Sequence, residues 1–419
     1  MEFKHTTLNN GLVVVGEVNT AALSGAMGFF VRTGSRDETP AINGVSHFLE
    51  HMLFKGTDEL SALEVNEAFD RTGAKFNAFT SEENTVYYAA VLPEYVLEVT
   101  ELWTKLLRPA LRGEDFDIEK NVITEEIAMY KDMPQFDVMD TCKTLHFAGH
   151  PCGQSVLGTV ETVEALTAEQ MRQYFYRRYA PNNMVLACCG NVDFDAVCEL
   201  AEKKCSDWKT GEAPRQLSFF GGSRDKQRQV KANLVREHIC IISPAVSMQD
   251  ERRFAMSLLA TIVGDDTGSR YFWAMVDPAI AETAAMQFDS MDGVGVLYSY
   301  LRCSPENAAK VLDIIRVIFD DLAEKGVTED ELGKAKNKVL SALTIKSEQP
   351  MGRLVNLGFN WVYTQQYRSI ADDVAAIKAI SVADVNALIG EFDLRGFTRL
   401  SIGPASADTC YRSQPPPAI

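Results

Sequence analysis

Long apolar runs are missing from this 419-residue chain. No stretch approaches the ~18 consecutive hydrophobic residues that a membrane-spanning helix needs, so a membrane partner is not expected. Basic residues are outnumbered, 41 Lys and Arg against 58 Asp and Glu, which gives a formal net charge of −17. That balance disfavours nucleic acid. Most of the charge serves solubility, and a cleft sharing its sign favours cationic ligands. The nine cysteines contain no C-x-x-C pair and are odd in number. Cys188 and Cys189 are adjacent in an apolar run, which reads as buried free thiols in a reducing compartment and not as a disulfide framework. The first strand-like run, Gly11–Val15, lies so near Met1 that neither a signal peptide nor an Arg-rich transit segment is expected ahead of it, unless one was removed. Histidine is scarce too, with six in the chain.

Two of those six fall in Gly44-Val45-Ser46-His47-Phe48-Leu49-Glu50-His51-Met52-Leu53-Phe54-Lys55-Gly56-Thr57. The stretch predicts a short helix. At about 100° per residue, His47, Glu50 and His51 lie within about 100° of one another, and Phe48, Leu49, Met52 and Leu53 take the other side. Histidines at i and i+4 can aim ring nitrogens at one ion. Zinc suits imidazole, and a catalytic zinc takes three protein ligands plus a water. Glu50, one residue before the second histidine, is close enough to take a proton from that water. The order H-x-x-E-H is the inverzincin signature, H-E-x-x-H reversed. The competing reading is two histidines on a helix by chance, and a third ligand would count against it.

A second helix is predicted from Asp115 to about Lys131. With Glu119 set at 0°, Glu126 falls near about −20°, and Val122, Ile123, Ile127 and Tyr130 share the arc, while Lys120, Thr124 and Glu125 point away. Carboxylates centred on an apolar stripe are costly unless paired, hydrogen-bonded or metal-bound. Pairing with basic groups is one solution. Beside a two-histidine half-site, Glu126 is the natural third ligand and Glu119 a supporting or charge-tuning group. The other i, i+4 pair, His146 and His150, is read as a structural turn, because Gly149 and Pro151 break the helix there.

The length suggests two or three domains, and the 46% hydrophobic content allows a full core. Residues 11–17, 26–32, 75–80, 85–92 and 183–190 read as strands. Helices are expected at 61–71, from Pro93 to about Leu107, at 167–179 and at 194–204. The pattern loosens from Trp208 to about Gln229, the best linker candidate. An internal repeat supports a boundary there: Val163–Met171 corresponds to Ile377–Val385, and Met184–Ala187 to Thr398–Ser401, both at an offset of 214. The second half has no counterpart of His47, Glu50 or His51, so only the first can hold metal. The expected organisation is an N-terminal metal-binding domain over 1–207, a linker over 208–229, a homologous C-terminal domain over 230–408 and a disordered tail over 409–419.

Taken together, Gly44–Thr57, Gly73-Ala74-Lys75-Phe76-Asn77-Ala78-Phe79-Thr80, Val122-Ile123-Thr124-Glu125-Glu126-Ile127 and Gly149-His150-Pro151 give the chain a close resemblance to the pitrilysin/insulinase family of inverted zinc metallopeptidases. It looks closest to the small two-domain branch that includes the mitochondrial processing peptidase and its bacterial relatives. The resemblance covers about residues 5–405. It implies an α+β fold of two homologous α/β-sandwich domains, each a mainly antiparallel sheet packed with helices on one face. It implies one zinc per chain, bound by His47, His51 and Glu126, with Glu50 as general base for a zinc-bound water and Glu119 as a supporting carboxylate. Asn77, Ala78 and Phe79 become the edge to which a peptide substrate adds as an extra strand.

One departure stands out. After Gly268-Ser269-Arg270-Tyr271-Phe272 the family carries an Arg and then a Tyr that contact the substrate; here Val276 stands at the Arg position, with no Tyr close behind. Arg270 or Tyr298 could substitute, and the favoured routes are Arg270 or donors borrowed from a partner chain. The resemblance further implies a dimer, with itself or with a related chain, that encloses peptides between four such domains. The activity expected is that of a zinc endopeptidase. The alternative is a non-catalytic or weakly active subunit of a two-chain complex. The expected location is the bacterial-type cytoplasm, or the mitochondrial matrix if a transit peptide was removed.

Overall fold

The computed structural model describes residues 1–215 and 217–405; the expected disordered tail, 409–419, lies outside the described residues. Its helices are α1 (Val45–Leu53), α2 (Ala62–Thr72), α3 (Val96–Leu106), α4 (Gly113–Lys131), α5 (Pro134–His146), α6 (Val160–Ala165), α7 (Ala168–Arg178), α8 (Phe194–Cys205), α9 (Arg253–Gly264), α10 (Ala308–Lys325), α11 (Glu329–Ser347), α12 (Pro350–Thr364), α13 (Ile370–Ala379) and α14 (Val382–Glu391). The chain forms two compact units, and neither is a continuous segment. Of the described residues, the first comprises Met1–Met129, 154–215 and Ser341–Val374; the second comprises Tyr130–Gly153, Leu217–Leu340 and 375–405.

The first unit is built on a six-stranded sheet made of β1 (Glu2–Thr7), β2 (Val13–Val18), β3 (Gly25–Val31), β4 (Lys75–Thr80), β5 (Thr85–Val91) and β6 (Met184–Gly190), in the order β1-β2-β6-β3-β5-β4. Only β2 and β6 run parallel. Every residue of β3 and β6 is buried, as expected for strands covered on both faces. On one face, Met27, Phe29, Val31 and Tyr87 join Phe48, Leu49 and Met52 of α1, Trp103 of α3 and Ile123 of α4 in the main core. On the other face lies α12: Leu354 and Leu357 pack on Val15, Ala26, Phe30 and Ala187. A buried pair, Arg353 Nε to Glu17 Oε1 at 2.9 Å, fixes that helix on β2.

The second unit repeats the plan with β7 (Lys226–Val230), β8 (Glu237–Ala245), β9 (Thr283–Ser290), β10 (Gly295–Cys303) and β11 (Thr398–Gly403), ordered β7-β11-β8-β10-β9. That is the order of the first sheet without β1. Helix α9 lies against β9, and α14 against α9. The opposite face takes α5, whose Val138 and Cys142 meet Cys240, Leu400 and Ile402.

The expected fold class holds: two homologous, mainly antiparallel sheets, each with a helical layer. The structure adds one helix on the second face of each, drawn from the other half of the sequence. The repeat predicted at two places runs much further. Helices α4 and α11 each have 19 residues, and each is followed by a helix that opens on proline, Pro134 or Pro350. These Pro-initiated helices are the two that cross over. The linear spans 1–207 and 230–408 therefore separate the sheets but not the units, because a sheet with two apolar faces needs cover on both. The expected linker 208–229 is also structured in part: Trp208 joins the first core, and β7 begins at Lys226. Among the described residues no helix is long and apolar enough to cross a membrane.

Candidate metal centre

Helix α1 is capped at its N-terminus by Gly44, whose φ of +96° only glycine adopts readily. Its first N–H groups are claimed by a buried carboxylate: Glu38 accepts from Gly44 N and Ser46 N at 2.7 Å each and from Asn43 Nδ2 at 2.8 Å. An anion there also suits the positive end of the helix dipole. Burial pushes the Glu38 carboxyl up, and those bonds pull it back. Phe48, Leu49, Met52 and Leu53 face the core. Phe48 stacks on Phe116 of α4, with centroids 4.7 Å apart, so the two site helices are docked by the residues behind the site.

On the open side, His47 Nε2 and His51 Nε2 lie 3.7 and 3.5 Å from Glu126 Oε2. One ligand atom from each of the three residues falls within 4.8 Å of the others, and no second such group occurs among the described residues. The separations are too long for hydrogen bonds. They fit three ligands facing one point: zinc bonds of about 2.0–2.1 Å at tetrahedral angles hold donor atoms roughly 3.3 Å apart. His51 Nδ1 is 2.9 Å from Glu119 Oε1, which marks Nδ1 as the protonated nitrogen and leaves the Nε2 lone pair for the cluster. Lys55 Nζ lies 2.5 Å from Glu119 Oε2. Glu50 Oε2 accepts from Thr80 Oγ1 of β4 at 2.5 Å. Glu125 is exposed and stands apart, as the helix geometry predicts. Val122, expected on the buried arc, is 45% exposed, because the core meets α4 along Phe116, Ile123 and Ile127 only.

The titration shifts follow from this packing. Burial, with the neighbouring His51 charge, lowers His47 to about 3, so it stays neutral. Burial also pulls on His51, but the Glu119 bond and the charges of Glu126, Glu119 and Glu50 win and raise it. Glu50 is raised chiefly by burial, against the Thr80 bond. Glu126 is likewise raised by burial. Glu119 resists burial and ends lowered, through its bonds from His51 and Lys55. In the metal-binding state, with His51 having given up its proton and the carboxylates ionised, Glu50, Glu119 and Glu126 face one lysine. The remaining two negative charges suit a dication, and the mixed imidazole–carboxylate donor set suits zinc.

The other expected residues divide. Strand β4 is an edge of the first sheet, and it runs beside α1. The Ala78 N–H is held by the Asn77 Oδ1 at 2.9 Å. The Phe79 ring packs towards Phe359 of α12, so its main chain, not its ring, is what the edge offers. Arg270 does not look like a free donor. It bonds Glu331 Oε1 at 2.7 Å and Oε2 at 3.1 Å, Asp321 Oδ2 at 3.0 Å and the Gly326 carbonyl at 2.8 Å. Tyr298 donates to Gln287 Oε1. His146 and His150 end α5 in a turn, bonded to Thr398 and Ser218, as expected. Sequence reasoning missed Glu38, Lys55 and Thr80. Lys55 alone left a signal, standing four residues after His51 on a line with it.

Comparison with known proteins fits this geometry. Residues 13–160 match the profile of the insulinase family, peptidase family M16, and residues 165–339 that of the peptidase M16 inactive domain. A protein named an uncharacterized zinc protease from Streptomyces coelicolor is 34% identical over 413 residues, 96% of this chain and 89% of its own length. Another so named, from Bacillus subtilis, is 30% identical over 406 residues, 96% of this chain and 98% of its own. Among solved structures, a protease from Helicobacter pylori superposes with a TM-score of 0.88 at 21% identity, over 96% of this chain and 100% of that one. A peptidase M16 inactive domain from Pseudomonas fluorescens gives 0.90 at 17% identity, over 98% and 100%. At such identities these two speak for the fold alone.

Proposed function

This chain belongs to the insulinase family of peptidases, family M16, and on that footing we propose that it is a zinc-dependent endopeptidase acting on peptides or extended polypeptide segments. The observation that carries the proposal is the clustering of His47, His51 and Glu126 around one point, with the half-buried Glu50 held beside it by Thr80 and outside the ligating trio. A storage or structural metal site has no use for Glu50.

In this reading one zinc is held by His47, His51 and Glu126, and it supplies Lewis acidity, polarising a carbonyl and lowering the pKa of water. Glu50 takes the proton of the attacking water and delivers it to the leaving amine. Its raised pKa makes it a stronger base than an exposed carboxylate, and the Thr80 bond fixes which oxygen is free. Glu119 orients the His51 ring. A peptide adds to β4 as a further strand, its carbonyl replacing Asn77 Oδ1 at the Ala78 N–H. Strand β4 holds both the peptide and, through Thr80, the base, which puts the extended chain in register with the proton acceptor.

The test is metal content and its consequence. The purified chain should hold about one zinc, lose peptide hydrolysis on chelation and regain it with zinc; hydrolysis untouched by chelation would refute the proposal. The proposed assembly is a dimer of this chain or a pair with a related chain, and solution scattering at the mass of a monomer from a fully active sample would exclude it. A second reading is favoured by one observation: Val276 stands where the family resemblance implies an Arg, and the nearby Arg270 is engaged by Glu331 and Asp321. The chain would then be the weakly active member of a two-chain peptidase, and turnover of the chain alone decides.

A further inference from the structure

Lys55 follows the last turn of α1, and its backbone is pinned. Gly56 takes φ +102°, and a side chain there would run into the Leu60 carbonyl. Thr57 N bonds Leu60 O at 2.8 Å. Arg112, at the start of α4, reaches back to the carbonyls of Lys55 and Thr57. The turn is thus tied to the helix that carries Glu119 and Glu126. From it the Lys55 amine reaches Glu119 Oε2 at 2.5 Å, while Glu119 Oε1 faces His51 Nδ1 at 2.9 Å. Glu119 is 3% exposed. A buried carboxylate has four lone-pair sites and several rotamers to choose from, and a fixed cation on one oxygen selects the rotamer that presents the other to His51.

Resting on the zinc reading above, we propose that Lys55 is a positioning residue of the metal centre: by pairing with Glu119 it holds that carboxylate where it receives the His51 Nδ1–H and so aims His51 Nε2 at the metal. The Lys55 amine pairs with Glu119, which is not one of the three residues facing the metal point. It acts through one intermediary, which makes the proposal separable from a general packing role. Removing Lys55 also changes the charge, leaving the site one negative charge in excess of what a dication balances. Loss of charge alone would tighten, not weaken, the hold on a cation, so orientation and electrostatics predict opposite signs for zinc affinity.

The test uses the full chain stripped of metal. Zinc affinity is measured by competition with a chromophoric chelator for the wild type, Lys55→Met, Lys55→Arg, Glu119→Gln and the Lys55→Met/Glu119→Gln double variant, with thermal melting of each metal-free protein. Removing a partner that orients a ligand typically costs ~10–100-fold in metal affinity. Lys55→Met should lose affinity in that range, Lys55→Arg should recover most of it, and the double variant should bind no more weakly than Glu119→Gln. If Lys55→Met does not fold, Lys55→Gln carries the same comparison. Unchanged or tighter zinc binding in Lys55→Met overturns the proposal. So does a double variant showing the two losses added, since Lys55 would then act by another route. A melting shift without an affinity change reduces Lys55 to a structural ion pair. A wild type that binds no zinc would instead sink the peptidase reading itself, so the two failures are distinguishable.

Discussion

Replacing Thr80 with valine tests whether the substrate edge and the base are coupled. The side chains are nearly isosteric, so the lost element is the hydroxyl that donates to Glu50 Oε2 at 2.5 Å. Thr80 is half-buried on β4, paired with Thr85 of β5, and the strand should survive a β-branched replacement. A hydrogen bond to a charged group contributes about 1.5–3 kcal/mol. If that bond orients the base in the transition state, turnover should fall roughly 10- to 100-fold. The pH dependence carries the sign. The Thr80 bond lowers Glu50 against a larger upward push from burial. Its loss therefore raises Glu50 further, less of it is ionised at a given pH, and the acid limb of kcat/KM moves to higher pH. Part of the lost rate should return as pH rises. Thr80→Ser keeps the donor and should stay near wild type, and zinc content should be unchanged in both. The assay is the pH profile of peptide hydrolysis for the three proteins. A Thr80→Val enzyme with wild-type rate and an unmoved acid limb would refute the coupling.

Three further outcomes are expected. Glu126→Gln should weaken zinc binding strongly while Glu125→Gln, on the exposed side of α4, should scarcely alter it in the same chelator competition; the reverse would put the helix register in error. Zinc affinity of the metal-free protein should fall on acidification, because His51 is raised above its ordinary value of 6.5 and must lose its proton to bind, whereas His47, lowered to about 3, stays neutral; affinity flat from pH 8 to pH 5, read by titration calorimetry, would contradict this. Arg270→Ala should lower thermal stability by about 1–3 kcal/mol, through loss of its bonds to Glu331, Asp321 and Gly326, and leave turnover of a folded sample unchanged; a large loss of kcat without a stability change would restore Arg270 to the substrate site.

How far the sequence could be read depended on how local the determinant was. Both site helices were legible because their periodicity puts His47, Glu50 and His51 on one stripe and separates Glu126 from Glu125. The repeat showed where one sheet plan ends and the next begins. The exchange of α5 and α12 was not legible: Val138 and Leu354 read as ordinary apolar helix positions, and nothing local says which sheet they cover. Strand β1 was missed because its alternating, half-exposed pattern is short. Val122 looked inward because its arc is set by helix angle, whereas its exposure is set by where the core stops. Thr80 and Glu38 act across 30 and 8 residues of chain, on partners that only the fold brings near.

The central claim is that Glu50 is a base and not a ligand. Its most direct test is Glu50→Gln, assayed for bound zinc and for peptide hydrolysis on the same preparation. Glu50→Gln should hold about one zinc per chain, as in the wild type, with hydrolysis lost. Glu50→Gln cleaving peptides at the wild-type rate would contradict it.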